Sequence, residues 1–203
     1  MSPRPASRKS ERSGRRRGES QSRLAILAAA REQFAEHGYE RATIRSIAGS
    51  AGVDPALVIY FYGSKEQLFL ASIEVAINPA EAVPKLLEPG LDRLGERLTR
   101  FYLGLWETPE TRGAVGGLLR SAFSHDEAAT LLRAFLGREV FGRIAPYLEG
   151  PDPELRVGLV GSQLVGLAVA RYIVKVEPLA SATEDTVVAW VAPTIQRYVN
   201  GNR

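Results

Sequence analysis

A serine, a histidine and two acidic residues lie close together in the stretch SAFSHDE, Ser121 to Glu127. These are side-chain types that nucleophilic catalysis combines, but at the end of a short helix they point in different directions and form no relay. The glycine-rich GAVGG at 113–117 follows no predicted strand, so it is not a phosphate-binding loop. Glu149 and Asp152 lie in a predicted turn, where both carboxylates are solvated. The sequence therefore predicts no catalytic residue, and we do not expect an enzyme.

The composition excludes several kinds of site. The 203 residues include no cysteine and two histidines, His37 and His125. Disulfides, thiolate metal sites, cysteine nucleophiles and histidine clusters are therefore excluded. We expect neither a metal ion nor a cofactor. A chain of this length has room for one large domain or two small ones, with a sizeable core.

The positive charge of the chain is concentrated at its beginning. Residues 1–23 carry eight basic and two acidic side chains, a net charge of +6, whereas the whole chain carries +3. Residues 1–19 are rich in Ser, Arg, Pro and Gly, so we predict a basic arm that is disordered when free. The arm lacks the apolar run of a secretory signal. Two interpretations stay open: a solvated tail, or an arm that lies along the minor groove or the phosphates of DNA.

Helical periodicity runs through the chain, and strand patterns are scarce. Apolar residues at steps of three and four predict a first helix over about 21–37 that stops at Gly38. The predicted N-caps of the three helices that follow are Thr43, Asp54 and Ser64. Pro55 takes the first position of the third helix, and Gly52 makes the turn between the second helix and the third. These two helices have the spacing of a helix-turn-helix.

Beyond residue 78 the composition changes. Prolines and a glycine indicate a joint near 78–90. Further helices are predicted at about 91–106, 113–124, 127–148, 153–175 and 183–200. The fold class is therefore all-α, with an N-terminal helix-turn-helix domain and a larger C-terminal helical domain. The apolar segment 157–176 could span a membrane by length, but it holds Gln163, Arg171 and Lys175, so we predict a buried helix of a soluble bundle.

The third helix carries four large residues in a row, Ile59 to Tyr62. At 3.6 residues per turn they point around most of the helix, so some must face outward. If Val58 and Phe61 face the core, the outward residues are Pro55, Ala56, Ile59 and Tyr60. Such small, apolar and phenolic groups suit the major groove of DNA, where methyl groups meet thymine and a hydroxyl reaches a base edge or a phosphate. The alternative is that the helix-turn-helix is only a turn between two packed helices, as many helical bundles contain. The basic arm and Lys65 favour DNA binding.

From about Arg23 to Phe69 the chain resembles the DNA-binding domain of the tetracycline-repressor (TetR) family of bacterial regulators. The matching pieces are ILAAAREQFAEHGYERATIRSIAGSAGV and ALVIYFYGSKEQLF. The rest of the chain is similar in architecture, as a helical body that binds a ligand and dimerises. We therefore divide the chain into a basic arm at 1–19, a DNA-binding domain at 20–66, and a C-terminal ligand-binding and dimerisation domain at 67–203.

The predicted DNA-binding residues are Thr43, Arg45, Pro55, Ala56, Ile59, Tyr60 and Lys65. The resemblance implies that Thr43 and Lys65 each bind a phosphate, that Arg45 reaches a base or the backbone, and that the third helix faces the major groove. Two positions depart from the family pattern. Ile59 stands where a phosphate-contacting tyrosine is common, and Tyr62 stands where phenylalanine is usual. We expect Tyr60, Tyr62 or the arm to replace the missing contact.

A stripe of small residues indicates how two copies of the chain could meet. In GLVGSQLVGLAVARY, Ser162, Gly166 and Ala170 recur every four residues and would let another helix approach closely. We predict that two copies of this stripe, together with helix 183–200, form a four-helix dimer interface. Close packing within one subunit is the alternative.

A ligand pocket in the C-terminal domain is plausible from its aromatic and polar residues. The aromatic walls would come from Phe101, Tyr102, Trp106, Phe123, Phe135, Phe141 and Tyr172, and the polar candidates are His125, Gln163 and Arg171. The predicted pocket residues are Trp106, Phe123 and Arg171. Arg171 lies in an otherwise apolar run, so it needs a partner: a carboxylate, the carbonyls of a helix end, or an anionic ligand.

Together these observations predict a ligand-responsive transcriptional regulator of the cytoplasm, a repressor that binds a near-palindromic operator as a homodimer. Its partners would be double-stranded DNA, a second copy of the chain and an unidentified small-molecule effector, with no membrane. The alternative is a helical carrier that binds a small molecule without DNA. Salt-dependent binding to a duplex separates the two, because only the regulator displaces counterions from phosphates.

Overall fold

The computed structural model describes residues 9–201, with the side chains of 18–201 except those of residues 76 and 110. Over this range the elements are helices joined by turns, with no strand. The predicted all-α fold is confirmed, and within these residues no helix is long and apolar enough to cross a membrane. The apolar segment 157–176 lies in the helical body, where Val157, Val160 and Leu164 are buried.

The N-terminal unit consists of four helices: α1 (Lys9–Arg41), α2 (Ile44–Ala51), α3 (Pro55–Tyr62) and α4 (Lys65–Ile77). Gly38 interrupts α1 where the sequence predicted its end, because its φ of 75° lies in the left-handed region. The start of α1 differs from the prediction. The helix begins at Lys9 and not near residue 21, so residues 9–19 of the predicted disordered arm are helical. Arginine and glutamate are good helix formers, and extending an existing helix adds one hydrogen bond per residue. Residues 1–8 of the arm lie outside the described range.

The body contains seven helices: α5 (Pro79–Leu87), α6 (Leu94–Gly104), α7 (Pro109–Ser124), α8 (Asp126–Phe135), α9 (Gly142–Ile144), α10 (Pro153–Ala168) and α11 (Glu184–Asn200). The predicted joint near 78–90 is mostly helical, because Pro79 occupies the first position of α5, where its missing N–H costs nothing. The predicted helix 127–148 is divided by a π-helical turn, Leu136–Phe141, and a second π-helical turn, Val169–Ile173, ends the predicted helix 153–175.

A single core joins the N-terminal unit to the body. Ile26, Ile47 and Val58 of the first three helices are fully buried, and the same cluster includes Leu118 of α7 and Phe135 of α8. Helix α4 lies inside this cluster through Leu68, Phe69 and Ile73. The predicted boundary at residue 66 therefore falls in the first turn of a continuous helix, and there is no break in packing there.

The contact between α1 and α7 depends on a glycine. A β-carbon at Gly117 would lie 2.9 Å from the carbonyl oxygen of Phe34 and 3.0 Å from the α-carbon of Ala35, so the two backbones nearly touch. One turn further along α7, Ser121 Oγ accepts a buried hydrogen bond of 3.0 Å from the Tyr39 amide. The GAVGG stretch is thus a helix-packing segment, and Ser121 stabilises the backbone just after the break at Gly38.

The contact between α6 and α11 is closer still. A β-carbon at Gly95 would lie 2.5 Å from the carbonyl oxygen of Ala192 and 2.6 Å from the amide nitrogen of Gln196. The Gly95 amide donates to Gln196 Oε1 at 2.8 Å, and Gln196 Nε2 donates to the carbonyl of Leu91 at 2.9 Å. One glutamine side chain therefore ties the beginning of α6 to α11.

We expect Gly95→Ala to lower the free energy of unfolding by about 1–3 kcal/mol, because the added methyl group meets backbone atoms that cannot rotate away. Denaturant unfolding of the full chain measures this. Gly104→Ala is the matched control, since a β-carbon at the other end of α6 meets no atom within 4 Å. Equal stabilities of Gly95→Ala and the unsubstituted protein would contradict the close crossing.

Candidate nucleic-acid interface and cavity

Hydrogen bonds fix the geometry of the helix-turn-helix. Thr43 Oγ1 accepts from the Ser46 amide and Ser46 Oγ accepts from the Thr43 amide, both at 3.0 Å, so the N-terminus of α2 has a complete capping box. Gly52, with φ 66°, ends α2 in the left-handed conformation, and the Val53 amide donates back to the carbonyl of Ala48. The turn into α3 is therefore held by its own backbone.

Helix α3 presents one face to the core and another to solvent. Asp54 Oδ1 accepts from the Ala56 amide at 2.7 Å and caps the helix. The side chains predicted to face outward are all exposed: Pro55, Ala56, Ile59 and Tyr60. Tyr60 is the most prominent, with 73% of its surface exposed. The inward face is wider than predicted. Val58 and Tyr62 are buried, and Phe61 is half-buried against the same core, with its ring centroid 5.2 Å from that of Tyr60. Residues three and four apart share a helix face, so both Phe61 and Tyr62 lie on the side of Val58.

Tyr62 has a structural role. Its hydroxyl donates to the carbonyl oxygen of Arg23 at 2.9 Å, and the guanidinium of Arg23 lies 5.7 Å from the ring centroid. Burial raises the pKa of the Tyr62 phenol, which therefore stays neutral. The expectation that Tyr62 supplies a phosphate contact is wrong, because its hydroxyl is used to join α3 to α1. This hydrogen bond explains why position 62 holds a tyrosine where phenylalanine is usual.

Lys65 is positioned by aromatic and backbone groups at the beginning of α4. Its Nζ lies 4.2 Å from the ring centroid of Tyr39 and donates to the carbonyl of Glu40 at 3.3 Å. The Tyr39 hydroxyl in turn donates to Glu66 Oε1 at 3.0 Å. An ammonium group has three donors, so this arrangement orients Lys65 and leaves it capacity for an anion. Thr43 and Arg45, at the beginning of α2, are both exposed.

The small-residue stripe of α10 faces outward. Ser162 and Gly166 are exposed and Ala170 is half-buried. A β-carbon at Gly166 would meet no atom within 4 Å, so the alternative of close packing within one subunit does not hold at this position. Leu155 of α10 and Trp190 of α11 are also exposed, at 62% and 81%. These outward residues, on two helices that pack together, form what we call the α10–α11 face.

The body contains an apolar cavity of about 130 Å³. Its walls come from the end of α4, from α5, α6, α9 and α10, and from the π-helical turn after α8. Phe101, Tyr102 and Phe141 are among the aromatic walls that the sequence predicts, whereas the aliphatic lining residues were not predicted. A signal was present in the apolar residues of α6 and α10 at steps of three and four, such as Leu98 with Tyr102 and Val157 with Val160. That pattern gives the buried face of a helix but does not say which part of the face borders a cavity.

The residues predicted for a pocket lie elsewhere. Trp106 is buried and stacks on Tyr172, with ring centroids 4.8 Å apart, but it does not line the cavity. Phe123 is 66% exposed. Arg171 donates to the carbonyls of Leu179 and Ala182, so its partners are carbonyls of the segment before α11. The structure therefore does not bring these three residues together at the cavity.

A helix-turn-helix with an exposed third helix, attached to a helical body with an apolar cavity, is the architecture of one class of DNA-binding transcriptional regulators. Two family models match the chain, "Bacterial regulatory proteins, tetR family" at residues 26–72 and "Tetracyclin repressor-like, C-terminal domain" at residues 92–199. The second covers more than half of the 203 residues. The chain belongs to the TetR family of bacterial regulators.

Individual relatives agree with this assignment. The HTH-type transcriptional repressor AcnR of Corynebacterium efficiens is 46% identical over 90 residues, which are 44% of this chain and 43% of AcnR. The regulator BetI of Rhizobium meliloti is 32% identical over 126 residues, or 57% of this chain and 59% of BetI. The chain thus spans about half the length of these curated relatives. A TetR-family regulator (SCO0857) of Streptomyces coelicolor A3 has a solved structure with 40% identity, a TM-score of 0.69, and coverage of 90% of this chain and 96% of that one.

We expect Tyr60→Ala to weaken binding to a specific duplex by about 1–3 kcal/mol, because the phenol is the large exposed group of α3 with a hydrogen-bonding tip. Fluorescence anisotropy with a duplex selected from a random pool measures the affinity, and a melting curve checks the fold. Tyr147→Ala is the matched control, since Tyr147 is 59% exposed and lies in the body. A folded Tyr60→Ala protein that binds as tightly as the unsubstituted protein would remove Tyr60 from the interface.

Proposed function

We propose that this protein is a cytoplasmic repressor that binds a near-palindromic operator as a homodimer and is released by a small-molecule effector. The observation that carries the proposal is the outward face of α3, which projects Tyr60 while hydrogen bonds hold the helix-turn-helix rigid. The apolar cavity in the body supports a ligand, and the outward stripe on α10 supports a dimer.

In this proposal α3 enters the major groove. Pro55, Ala56 and Ile59 would make apolar contacts, including contacts with thymine methyl groups, and Tyr60 would reach a base edge or a phosphate. The helix PALVIYFY lacks Arg, Asn and Gln, the strongest base readers, so much of the affinity must come from phosphates. Groups suited to phosphates stand at the beginnings of the two flanking helices: Thr43 and Arg45 of α2, and Lys65 of α4.

The basic arm would extend this contact. Arg23 lies against Tyr62, so the preceding part of α1 leaves the domain beside the C-terminal end of α3. Residues 9–23 are helical and span about 22 Å at the usual rise per residue. A segment of that length, beside α3 and with a net charge of +6 over residues 1–23, is suited to phosphates or to the adjacent minor groove.

Dimerisation would place two copies of α3 on successive turns of the duplex, about 34–36 Å apart. The α10–α11 face offers Gly166 for close helix approach and Leu155 and Trp190 for apolar burial. The effector would act by a population shift. Ile77, the last residue of α4, lines the cavity, and Lys65, the first, stands at the DNA-binding surface. A ligand that favours another position of α4 would therefore change the spacing of the two α3 helices.

The function is tested by DNA binding at several salt concentrations. The full chain should select a near-palindromic duplex from a random pool, and its log affinity should fall linearly with log salt. Deleting residues 1–19 should weaken binding to specific and unrelated duplexes alike and flatten that slope by about 0.9 for each phosphate that is no longer neutralised. Deletion of residues 1–8 alone is the intermediate control. A protein without salt-dependent binding would be a carrier and not a regulator, whereas an unchanged slope after truncation would make the arm a solvated tail.

The dimer is tested at Gly166. Gly166→Leu places a bulky side chain at the centre of the outward stripe and should weaken association by about 1–3 kcal/mol through overpacking. Operator affinity should fall with the loss of dimer, because one half-site offers too few contacts. Sedimentation and a melting curve measure both properties, with Gly104→Leu as control because Gly104 also has open space around it but lies on α6. A stable Gly166→Leu protein that still sediments as a dimer would place the interface elsewhere.

A further inference from the structure

The cavity in the body has walls made almost entirely of hydrocarbon. Its lining includes Ile77, Leu98, Phe141, Val160 and Leu164, and none of its lining residues is charged. A charged ligand group would lose its hydration there without gaining an ionic partner, which is strongly unfavourable. The chemistry of the walls therefore selects against ions.

Tyr102 is the one lining residue whose side chain carries a polar group, a hydroxyl that has the indole of Trp106 as a neighbour. Burial raises the pKa of this phenol above its usual value, so it remains a neutral hydrogen-bond donor. On its other side Tyr102 packs against the cluster that contains Trp106 and Leu105. The cavity thus has an apolar surface, and Tyr102 is its one lining residue with a hydrogen-bonding side chain.

The size of the cavity limits the ligand. At about 130 Å³ it is comparable to apolar protein cavities of about 150 Å³ that stay dry and bind benzene or xenon. A molecule the size of one aromatic ring fits without displacement of a helix. A drug-sized ligand would need a pocket of at least about 300 Å³.

Two features of the wall indicate a built site. The π-helical turn Leu136–Phe141 contributes Leu136, Val140 and Phe141 to the lining, and π turns of this kind occur frequently at functional sites. Gly161 lets the Phe141 ring lie directly against α10, since a β-carbon at 161 would come within 2.7 Å of its Cζ atom. A side chain at position 161 would displace the Phe141 ring, which is part of the cavity wall.

We propose that the cavity takes an uncharged, mostly hydrocarbon molecule of one ring, with at most one hydrogen-bond acceptor, which Tyr102 satisfies. The inference deepens the proposed function, because it names the chemical class of the effector. It makes Tyr102 the specificity-determining residue among otherwise apolar walls.

Calorimetric titration of the full chain tests the class with four probes of similar size: toluene, benzyl alcohol, benzoate and protonated benzylamine. We expect the two neutral probes to bind and both ions to bind at least tenfold more weakly. Tyr102→Phe should weaken benzyl alcohol several-fold while leaving toluene unchanged. Equal binding of ions and neutral probes would overturn the proposal, as would an equal effect of Tyr102→Phe on both neutral probes.

A cavity-filling pair of variants tests the location. Ala82→Phe puts a ring into the cavity wall and should lower the affinity for toluene at least tenfold, whereas Ala80→Phe, on the exposed side of the same helix, should not. Unchanged toluene binding by Ala82→Phe would overturn the assignment. If Ala82→Phe does not fold, crystals of the unsubstituted protein under xenon pressure decide: density among Leu98, Tyr102 and Leu164 supports the site, and its absence there overturns it.

The same probes separate this inference from the proposed function. If none of the neutral probes binds while salt-dependent operator binding is intact, the ligand class is wrong and the regulator stands. If toluene fills the cavity without changing operator affinity, the ligand class stands and release by an effector is wrong. Weaker operator binding in the presence of toluene, reversed by Ala82→Phe, supports both.

Discussion

The near-contact of the α1 and α7 backbones at Gly117 is the constraint on which the rest of the structure depends. A β-carbon at position 117 would lie only 2.9 Å from the carbonyl oxygen of Phe34. Helix α7 can therefore lie in this position only because residue 117 has no side chain. This contact places the core of the helix-turn-helix directly on the body. Phe34 and Tyr39 then each pack on Phe69 of α4, with ring centroids 4.9 Å apart in both pairs. The packing against the body therefore fixes the orientation of the N-terminal unit, which shares its core with the body and is not a separate domain.

Helix α4 gains its importance from that arrangement. Its first turn holds Lys65 and Glu66, which contact Tyr39 beside the DNA-binding surface, and its last residue, Ile77, lines the cavity. A helix is stiff along its axis, so a displacement at one end is carried to the other. Since packed cores switch between discrete arrangements more readily than they deform, a ligand at Ile77 would, in the proposed dimer, have a physical route to the spacing of the two α3 helices.

Local rules account for what could be predicted from the sequence. Thr43, Asp54 and Ser64 each cap the helix expected of them, because a capping side chain bonds backbone amides two or three residues away. Gly38 and Gly52 take left-handed conformations where the helical pattern stops. The beginning of α1 was placed too late, because a polar, basic composition resembles a disordered tail when the helix that it continues is not considered. The division of the predicted helix 127–148 was missed because a π turn has no composition of its own.

The sequence by itself determined the caps and turns of the helix-turn-helix, the outward face of α3 and the membership of a family, since each rests on contacts within a few residues or on a short pattern. The tertiary structure alone decided which of the candidate side chains are free to bind a partner. Tyr62 is occupied by a carbonyl of α1, Trp106 is stacked behind the cavity, Phe123 is exposed, and Arg171 is held by loop carbonyls. These outcomes depend on partners distant in sequence. The cavity is decided in the same way, because a void is the space left between six elements of the fold and none of them encodes it alone.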